Sequence, residues 1–348
     1  MNTKHKAIAL ISGGLDSMLA AKMILDQGIY VEGINFFTGF CGDGCSCVPR
    51  RKDQGCGENI NATWVADKLG IKLNIVDVLE GYKNVVTHPK YGYGSHLNPC
   101  LDCKIFMIGQ TKKWLEQNGF DFIVTGEVIG QRPKSQLKHH LPTVIKDSGV
   151  GEILLRPLCA KLLAPTLPER EGWVKRELLG DCSGRGRSKQ IAMAKEFGFD
   201  KFAQPSGGCC FLINKHYTNR LRDLWETRGN QDYTLNDITL LKVGRHLRPQ
   251  PHFKMIIGRE EAENDFLQQY QNCYISLKSI NHPGPVVLID GELKDDSDID
   301  LAARITARYC SRHQDQPRQI LLHISTGEER MVNVLPWDNE EQLMRWYI

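Results

Sequence analysis

The feature that most constrains the fold is a regular alternation of strand-like and helix-like segments over the first 130 residues. Apolar strand patterns alternate with helical periodicity, with strands at 7–11, 30–36, 73–78 and 122–128 and helices at 17–27, 58–69 and 103–117. Strands separated by helices of this length form parallel βαβ units. We therefore predict an α/β fold with a Rossmann-like doubly wound parallel sheet, whose ligand lies beyond the carboxyl ends of the strands.

A chain of 348 residues has room for about two domains at ~150 residues each. We predict a first domain over 1–215, interrupted by a cysteine-rich loop at 37–57, and a smaller α+β domain over 216–348. The second domain has strand patterns and helical patterns, with strands at 238–243, 253–257, 286–289 and 320–324 and helices at 260–271 and 301–309.

The charge is unevenly divided between these two parts. The net charge of +3 separates into +7 for residues 1–215 and −4 for residues 216–348, so a polyanion is expected to meet the first part. No apolar run approaches the ~20 residues of a membrane span. The N-terminal sequence also lacks a signal-peptide core. We expect a cytoplasmic protein without a membrane partner.

The strongest local motif is Ser12-Gly13-Gly14-Leu15-Asp16-Ser17, which follows a strand and opens a helix. Glycines let backbone N–H groups approach a phosphate, and the helix N-terminus adds partial positive charge. Ser12 and Ser17 supply hydroxyl donors, whereas Asp16 suits magnesium coordination or anchoring of the loop. The alternative is a glycine-rich turn that only caps the helix. The string lacks the Gly-Lys-Ser/Thr ending of a Walker A loop.

Twelve cysteines in a reducing compartment favour metal, cluster or catalytic sulfur over structural disulfides. Cys100 and Cys103 share a helix N-terminus, which lowers thiol pKa and favours the thiolate. By itself this pair fits zinc, an iron–sulfur cluster or redox chemistry.

Further cysteines form two groups. Gly207-Gly208-Cys209-Cys210 reads either as a turn that exposes sulfur or as a buried strand. Four sulfurs in the loop fit either a zinc site or loose thiols, and these are Cys41, Cys45, Cys47 and Cys56.

Together these motifs resemble a known family. The Ser12–Ser17 string is similar to the signature of the PP-loop ATP pyrophosphatases, which share an adenine nucleotide alpha hydrolase-like fold. Residues 98–103 resemble the Asn-Pro-x-x-x-Cys segment of the tRNA thiouridine synthetase branch, and 207–209 resemble its Gly-x-Cys segment. Residues 125–127 resemble its Thr-Gly-His/Glu stretch, and the C-terminal region is similar to the NFACT RNA-binding domain.

The resemblance implies that the enzyme uses ATP and Mg²⁺ to adenylate a uridine carbonyl of tRNA, after which sulfur replaces the oxygen. It implies nucleotide contacts from the loop and two further segments, namely Ser12, Gly13, Gly14, Leu15, Asp16, Ser17, Thr125, Gly126 and Gln131. It also implies catalysis by Cys100, Cys103 and Cys209 with Asp16. A [4Fe–4S] cluster on the same three cysteines is preferred over persulfide chemistry, with Cys210 as the alternate third ligand.

Basic residues predict where RNA binds. Arg185, Arg187 and Lys189 lie on a glycine-containing stretch without acidic residues, which suits phosphate contact. Arg132 and Lys134 lie near the nucleotide end of the sheet and suit ATP or RNA. In the acidic C-terminal part, RNA binding is expected to use local basic residues, namely Lys242, Arg245, Arg248 and Arg259.

The leading hypothesis is an ATP-dependent tRNA sulfurtransferase that receives sulfide, or sulfur from a persulfide-carrying protein. One alternative is a PP-loop amidating or ligase enzyme with structural zinc. The other is a non-catalytic RNA-binding sulfur carrier. An intact Ser-Gly-Gly-x-Asp-Ser loop argues against the carrier, because binding alone does not require both hydroxyls.

Overall fold

Five parallel strands form the first sheet of the computed structural model, in the order β3-β2-β1-β4-β5. The strands are β1 (Lys6–Leu10), β2 (Tyr30–Phe37), β3 (Leu73–Asp77), β4 (Phe122–Val124) and β5 (Leu154–Leu155). The structure describes residues 5–41, 60–203, 210–310, 316–324 and 327–348. By its contacts the chain divides into one unit ending at Ile213 and a second that includes Asn214–Ile348.

Helices connect the strands of this sheet, and two more helices come after its last strand in the sequence. They are α1 (Leu15–Leu25), α2 (Ala62–Leu69), α3 (Leu79–Thr87), α4 (Cys100–Asn118), α5 (Leu141–Ser148), α6 (Leu167–Arg170) and α7 (Ser188–Glu196). Glycine in the left-handed conformation ends α2, α4 and α5, because it adopts that backbone without a Cβ penalty.

The central strand β1 shows why helices cover both faces of the sheet. Ala7 and Ala9 belong to the same core cluster as Met18 of α1, whereas Ile8 belongs to a second cluster with Ile108 of α4. Side chains of successive strand residues point to opposite faces. The predicted doubly wound α/β fold is therefore confirmed.

The predicted elements of this unit are found within a few residues of their expected ends. Helix α4 begins three residues earlier than predicted, so Cys100 itself lies in its first turn. The residues 58–59 of the predicted second helix lie outside the described residues. Helices α3 and α5 were not predicted, and both are short, with nine and eight residues.

The second unit contains a six-stranded antiparallel sheet in the order β11-β10-β8-β9-β7-β6. Its strands are β6 (Arg245–Gln250), β7 (Phe253–Ile257), β8 (Ile275–Ser279), β9 (Val287–Gly291), β10 (Arg318–His323) and β11 (Glu329–Val334). Its helices are α8 (Lys215–Arg228), α9 (Leu235–Leu240), α10 (Glu261–Gln268), α11 (Asp296–Arg308) and α12 (Glu340–Arg345). This confirms the predicted smaller α+β domain.

One predicted element of the second unit is wrong. Residues 238–243 were expected to form a strand, but residues 235–240 form helix α9. Thr234 and Asp237 make a reciprocal capping box at its start, which satisfies backbone donors of the first turn. The capping box thus overrides the apolar run Ile-Thr-Leu-Leu that suggested a strand.

Among the described residues, no helix is both long enough and apolar enough to cross a membrane.

Candidate active site

The loop Ser12–Ser17 connects the carboxyl end of β1 to the first turn of α1. The Ser17 hydroxyl donates to the Gly14 carbonyl over 2.8 Å, and the Ser12 and Ser17 hydroxyl oxygens are 3.3 Å apart. Gly13 has φ +84°, and a Cβ there would lie 2.8 Å from the backbone of Asn61. The loop therefore needs glycine at this position, and it brings both hydroxyls to one point.

The first turn of α1 can receive an anion. Gly14 is the N-cap and offers no side chain to the N–H groups of the turn. Uncapped N–H groups and the helix dipole favour a phosphate at such an end. The side chain of Leu15 is buried in the core, so only its backbone can face a nucleotide.

Asp16 is held by residues distant in sequence. Its Oδ2 accepts hydrogen bonds from Gln131 Nε2 over 2.6 Å and from Arg187 Nη2 over 3.0 Å. Gln190 Nε2 donates in turn to Gln131 Oε1 over 3.0 Å. Asp16 Oδ1 is buried without a hydrogen-bond partner in the part of the chain that the structure describes. Asp16 is thus anchored through one oxygen, and the other oxygen fits a Mg²⁺ ligand.

The segment after β4 packs directly on the nucleotide loop. A Cβ on Gly126 would lie 2.5 Å from the backbone carbon of Asp16, so only glycine allows this approach. The Thr125 N–H donates to the Leu155 carbonyl over 3.1 Å, which extends the β4–β5 pairing towards the loop. Gly126 therefore lies against the first turn of α1, and Thr125 continues the β4–β5 pairing immediately before it.

Glu127 lies at the centre of a buried charged group. Its Oε2 accepts from Arg156 Nε over 2.9 Å and from Thr125 Oγ1 over 3.2 Å, and its Oε1 is 3.8 Å from Lys104 Nζ. Burial raises the pKa of Glu127, but Lys104, Arg156 and Thr125 outweigh it and hold the pKa below its usual range. The sequence places Glu127, Lys104 and Arg156 in three separate segments, so it did not indicate that they meet.

One short segment connects the nucleotide loop to the first cysteine of α4. The Gly130 N–H donates to the Gln136 carbonyl over 2.8 Å and closes the segment on itself. Gln131 binds Asp16 near one end, and Ser135 Oγ lies 3.1 Å from the thiol of Cys100, which donates to it. The segment 130–136 therefore connects Cys100 to the nucleotide motif, although 84 positions separate Cys100 from Asp16 in the sequence.

Cys103 lies in the first turn of α4 and hydrogen-bonds through its sulfur to the buried hydroxyl of Tyr82. Burial raises the pKa of Tyr82 well above its usual range, and the nearby thiols of Cys103, Cys210 and Cys41 add to this rise. The sulfurs of three cysteines from separate segments thus lie within electrostatic range of the Tyr82 hydroxyl. Tyr82 was not identified from the sequence, since it lies on the unpredicted helix α3.

The predicted metal sites find limited support in this geometry. In the described ranges, no group of three His, Cys, Asp or Glu side chains is arranged to hold a metal ion. Cys100 contacts Ser135 and Cys103 contacts Tyr82, while Cys209 lies outside the described residues. For the suggested zinc site only Cys41 is described, because Cys45, Cys47 and Cys56 also lie outside.

The residues predicted to bind RNA differ in their placement. Arg132 and Arg185 are exposed, and Lys189 is exposed and forms an ion pair with Asp181 over 2.9 Å. Arg187 instead contacts Asp16, and Lys134 donates to the Tyr93 carbonyl. Three of the five side chains therefore make contacts within the protein, and of these only Lys189 is exposed.

The basic residues expected to serve RNA binding in the second unit are used internally. Lys242 is buried, Arg248 pairs with Asp223, and Arg259 pairs with Glu263. Arg245 lies over the ring of Tyr309 at 5.3 Å. The sequence could not show these pairings, because the partners come from other elements or from the following helical turn.

Both parts of the chain are similar to known protein families. Residues 5–147 match the family model described as the tRNA methyl transferase HUP domain, and residues 244–347 match that of the NFACT protein RNA binding domain. The tRNA-specific 2-thiouridylase MnmA of Campylobacter curvus is 26% identical over 283 residues, which cover 74% of each chain.

Two further relatives are covered less fully. The MnmA 2-thiouridylase of Synechocystis is 25% identical over 223 residues, which cover 59% of this chain and 60% of that one. The probable tRNA sulfurtransferase of Staphylococcus aureus is 30% identical over 218 residues, which cover 61% of this chain and 43% of that one. The chain thus spans less than two thirds of the length of these two relatives.

The resemblance predicted from the motifs is confirmed by these matches. Residues 5–147 are thus similar to the tRNA methyl transferase HUP domain, and residues 244–347 are similar to the NFACT protein RNA binding domain.

Proposed function

We propose that this protein is an ATP-dependent tRNA sulfurtransferase that replaces a uridine carbonyl oxygen with sulfur. The observation that carries the proposal is the segment 130–136, which contacts Asp16 of the nucleotide loop through Gln131 and Cys100 through Ser135. A phosphate-binding loop and a helix that begins with two thiols are thus held together. The curated relatives, named as 2-thiouridylases and a sulfurtransferase, support the same reaction.

In the first step the backbone of Ser12–Ser17 and the start of α1 bind the phosphates of ATP. Asp16 Oδ1, which lacks a hydrogen-bond partner among the described residues, would hold Mg²⁺. The uridine carbonyl oxygen attacks the α-phosphorus, the bond to the β-phosphate oxygen breaks, and pyrophosphate leaves. The positive end of α1 stabilises the charge that develops on the phosphates.

In the second step a sulfur nucleophile attacks the adenylated carbon and AMP leaves with the former carbonyl oxygen. Cys100 and Cys103 provide thiols in the first turn of α4. We propose Cys209 as the third sulfur of this step, with Cys210 as the alternate. The flanking residues support it, since Ala203 pairs with Gly14 of the nucleotide loop and Cys210 pairs with Cys41.

We further propose that a cluster holds the sulfur before its transfer. A [4Fe–4S] cluster would be bound by Cys100, Cys103 and Cys209, and it would supply a binding site for the incoming sulfide. The position of Cys100 and Cys103 in one helical turn supports such a group. Sulfide or a persulfide-carrying protein would supply the sulfur.

For tRNA we propose contacts from Arg132, Arg185 and Lys189, which are exposed on the more basic part of the chain. Arg187 and Lys134 would shape the site rather than bind phosphate. A reducing cytoplasm suits both the free thiols and the proposed substrate.

The test is incubation of anaerobically purified protein with a tRNA pool, ATP and sulfide, followed by mass spectrometry of the nucleosides. We expect one thiouridine species and AMP release in equal amount, and loss of both in Cys103→Ser. Matched control variants at Cys273, which is exposed and outside this unit, should keep full activity. Absence of any thiolated nucleoside while ATP still binds would contradict the proposal. Metal analysis of the same sample distinguishes iron from zinc.

A further inference from the structure

A cavity of about 320 Å³ lies at the amino ends of the strands of the first sheet, at the edge opposite the nucleotide loop. Lys6 and Tyr30, which begin β1 and β2, line it together with Lys72, which comes directly before β3. Trp114, near the end of α4, and Phe120, just beyond it, complete this side. The five residues of β1 span about 15 Å at ~3.3 Å per residue, so the cavity is separate from the nucleotide loop.

Three aromatic rings form one wall of this cavity. The ring centroid of Phe120 lies 5.2 Å from that of Trp114 and 6.3 Å from that of Tyr30. Phe120 is buried, whereas Trp114 is half-buried and Tyr30 is 42% exposed. Nucleobases stack on exposed aromatic side chains of this kind, largely independently of which base is present. The wall therefore offers a surface for a flat base.

A buried carboxylate fixes two of the groups that line the cavity. Glu32 Oε1 accepts a hydrogen bond from the Tyr30 hydroxyl over 2.8 Å, and Glu32 Oε2 lies 3.3 Å from Lys72 Nζ. Glu32 Oε2 also accepts from Asn74 Nδ2 over 2.8 Å. Burial raises the pKa of Glu32, but its hydrogen-bond donors, Asn74 first, outweigh it and hold the pKa below its usual range. The ionised carboxylate thus orients the Tyr30 ring and the Lys72 ammonium.

The charge that remains at the cavity is positive. Its lining contains two lysines and only one carboxylate, Glu32, which is already paired with Lys72. Lys6 is exposed, and its ammonium group has no ion-pair partner among the described residues. Lysine binds phosphate through charge-assisted hydrogen bonds. A positive group beside an aromatic wall is the combination that binds single-stranded nucleic acid.

We propose that this cavity binds one unpaired nucleotide, with its base against the rings of Trp114 and Tyr30 and its phosphate at Lys6. A single-stranded part of an RNA and a free mononucleotide both present this chemistry. The volume lies at the lower end of the ~300–1,000 Å³ of small-ligand sites, which suits one nucleotide. The site does not depend on adenylation or sulfur transfer, because its residues lie at the other edge of the sheet.

The test is photocrosslinking of the full chain to a uridine hexamer of RNA that carries one 5-iodouridine, which crosslinks to aromatic rings that it stacks on. Mass spectrometry of the peptides identifies the crosslinked residues, and we expect Trp114 or Tyr30 among them. A second arm uses 5-iodouridine monophosphate at the same concentration. Crosslinks from the hexamer alone assign the site to RNA, whereas equal crosslinks from the monophosphate assign it to a free nucleotide.

A charge reversal distinguishes a specific site from general attraction of an anion. Lys6→Glu should reduce the crosslink yield at Trp114 and Tyr30 about tenfold, through loss of a charge-assisted hydrogen bond. Lys113→Glu is the matched control, since Lys113 is the exposed neighbour of Trp114 and does not line the cavity. It should keep the yield, and both variants should keep the unfolding midpoint.

Two results would overturn the proposal. One is crosslinking that is confined to peptides without Trp114 and Tyr30, and the other is an equal loss of yield in Lys6→Glu and Lys113→Glu. Crosslinking at Trp114 or Tyr30 together with no thiouridine in the tRNA assay would instead contradict the proposed function alone.

Discussion

Gln131 Nε2 donates a hydrogen bond to Asp16 Oδ2 over 2.6 Å, and this contact sets the orientation of the nucleotide loop from a segment 115 positions away. Gln190, which is fully buried on α7, holds the amide of Gln131 in place. With Oδ2 of Asp16 fixed, its Oδ1 is buried and has no hydrogen-bond partner among the described residues. The loop is therefore pre-organised before any nucleotide binds.

Replacing Gln131 by leucine should weaken ATP binding. The variant loses a hydrogen bond to a carboxylate, which is worth ~1.5–3 kcal/mol, so the dissociation constant should rise by about tenfold or more. Isothermal titration with a non-hydrolysable ATP analogue measures the change. Arg132→Ala is the matched control, because Arg132 is the exposed neighbour, and it should bind the analogue normally. If both variants bind the analogue with equal affinity, the nucleotide loop keeps its orientation without Gln131.

Gly126→Ala should destabilise the first unit and disrupt the nucleotide loop. Its new Cβ would lie 2.5 Å from the Asp16 backbone, and overpacking of this kind costs ~1–3 kcal/mol. Chemical denaturation measures the loss, and ATP titration should show weaker binding in parallel. Gly186→Ala is the control, since nothing lies within 4 Å of the Cβ it would add. If the Gly126→Ala protein is as stable as the control, the segment after β4 and the first turn of α1 can move apart without loss of stability.

Glu127 should contribute stability that depends on pH. Its pKa in the folded protein is held below the usual 4.5, so this stability is fully present above about pH 4.5. It is lost as the pH falls through the lower folded pKa, because the unfolded chain binds the proton first.

Glu127→Gln should remove that part of the acid sensitivity and reduce stability at pH 7 by about 3 kcal/mol, since buried Arg156 loses its counterion. Unfolding free energies between pH 3.5 and 7 give both quantities. Glu152→Gln breaks an exposed pair with Arg170 and should change stability by less than ~1 kcal/mol. A Glu127→Gln protein with an unchanged acid profile would exclude Glu127 as the titrating group.

Arg185 and Arg187 should separate RNA binding from nucleotide binding. Arg185→Ala removes an exposed cation and should reduce the salt dependence of tRNA affinity by about one unit of slope. Arg187→Ala removes a donor to Asp16 and should weaken ATP binding instead. Fluorescence titrations with tRNA at several salt concentrations, and with ATP, measure the two effects. A salt slope that falls equally in both variants would show that Arg187 also meets RNA.

The sequence by itself determined the fold class and the main chemical motifs. The alternation of strands and helices is a local pattern, so it predicted the doubly wound parallel sheet. The Ser12–Ser17 string lies between β1 and α1 as predicted, because a glycine turn and a helix start are both encoded within a few residues. The strand predicted at 238–243 was wrong because a capping box acts at the helix end rather than through periodicity.

Only the tertiary structure decided which motif residues meet. The contacts of Asp16 with Gln131 and Arg187, and of Cys41 with Cys210, join segments separated by 115 to 171 positions. No local pattern encodes such pairs, since they depend on the order of strands in the sheet. For the same reason Arg187, which reads as an RNA contact in the sequence, serves the nucleotide loop in the fold. Local sequence determines where helices and strands form, whereas long-range packing determines which of their residues contact each other.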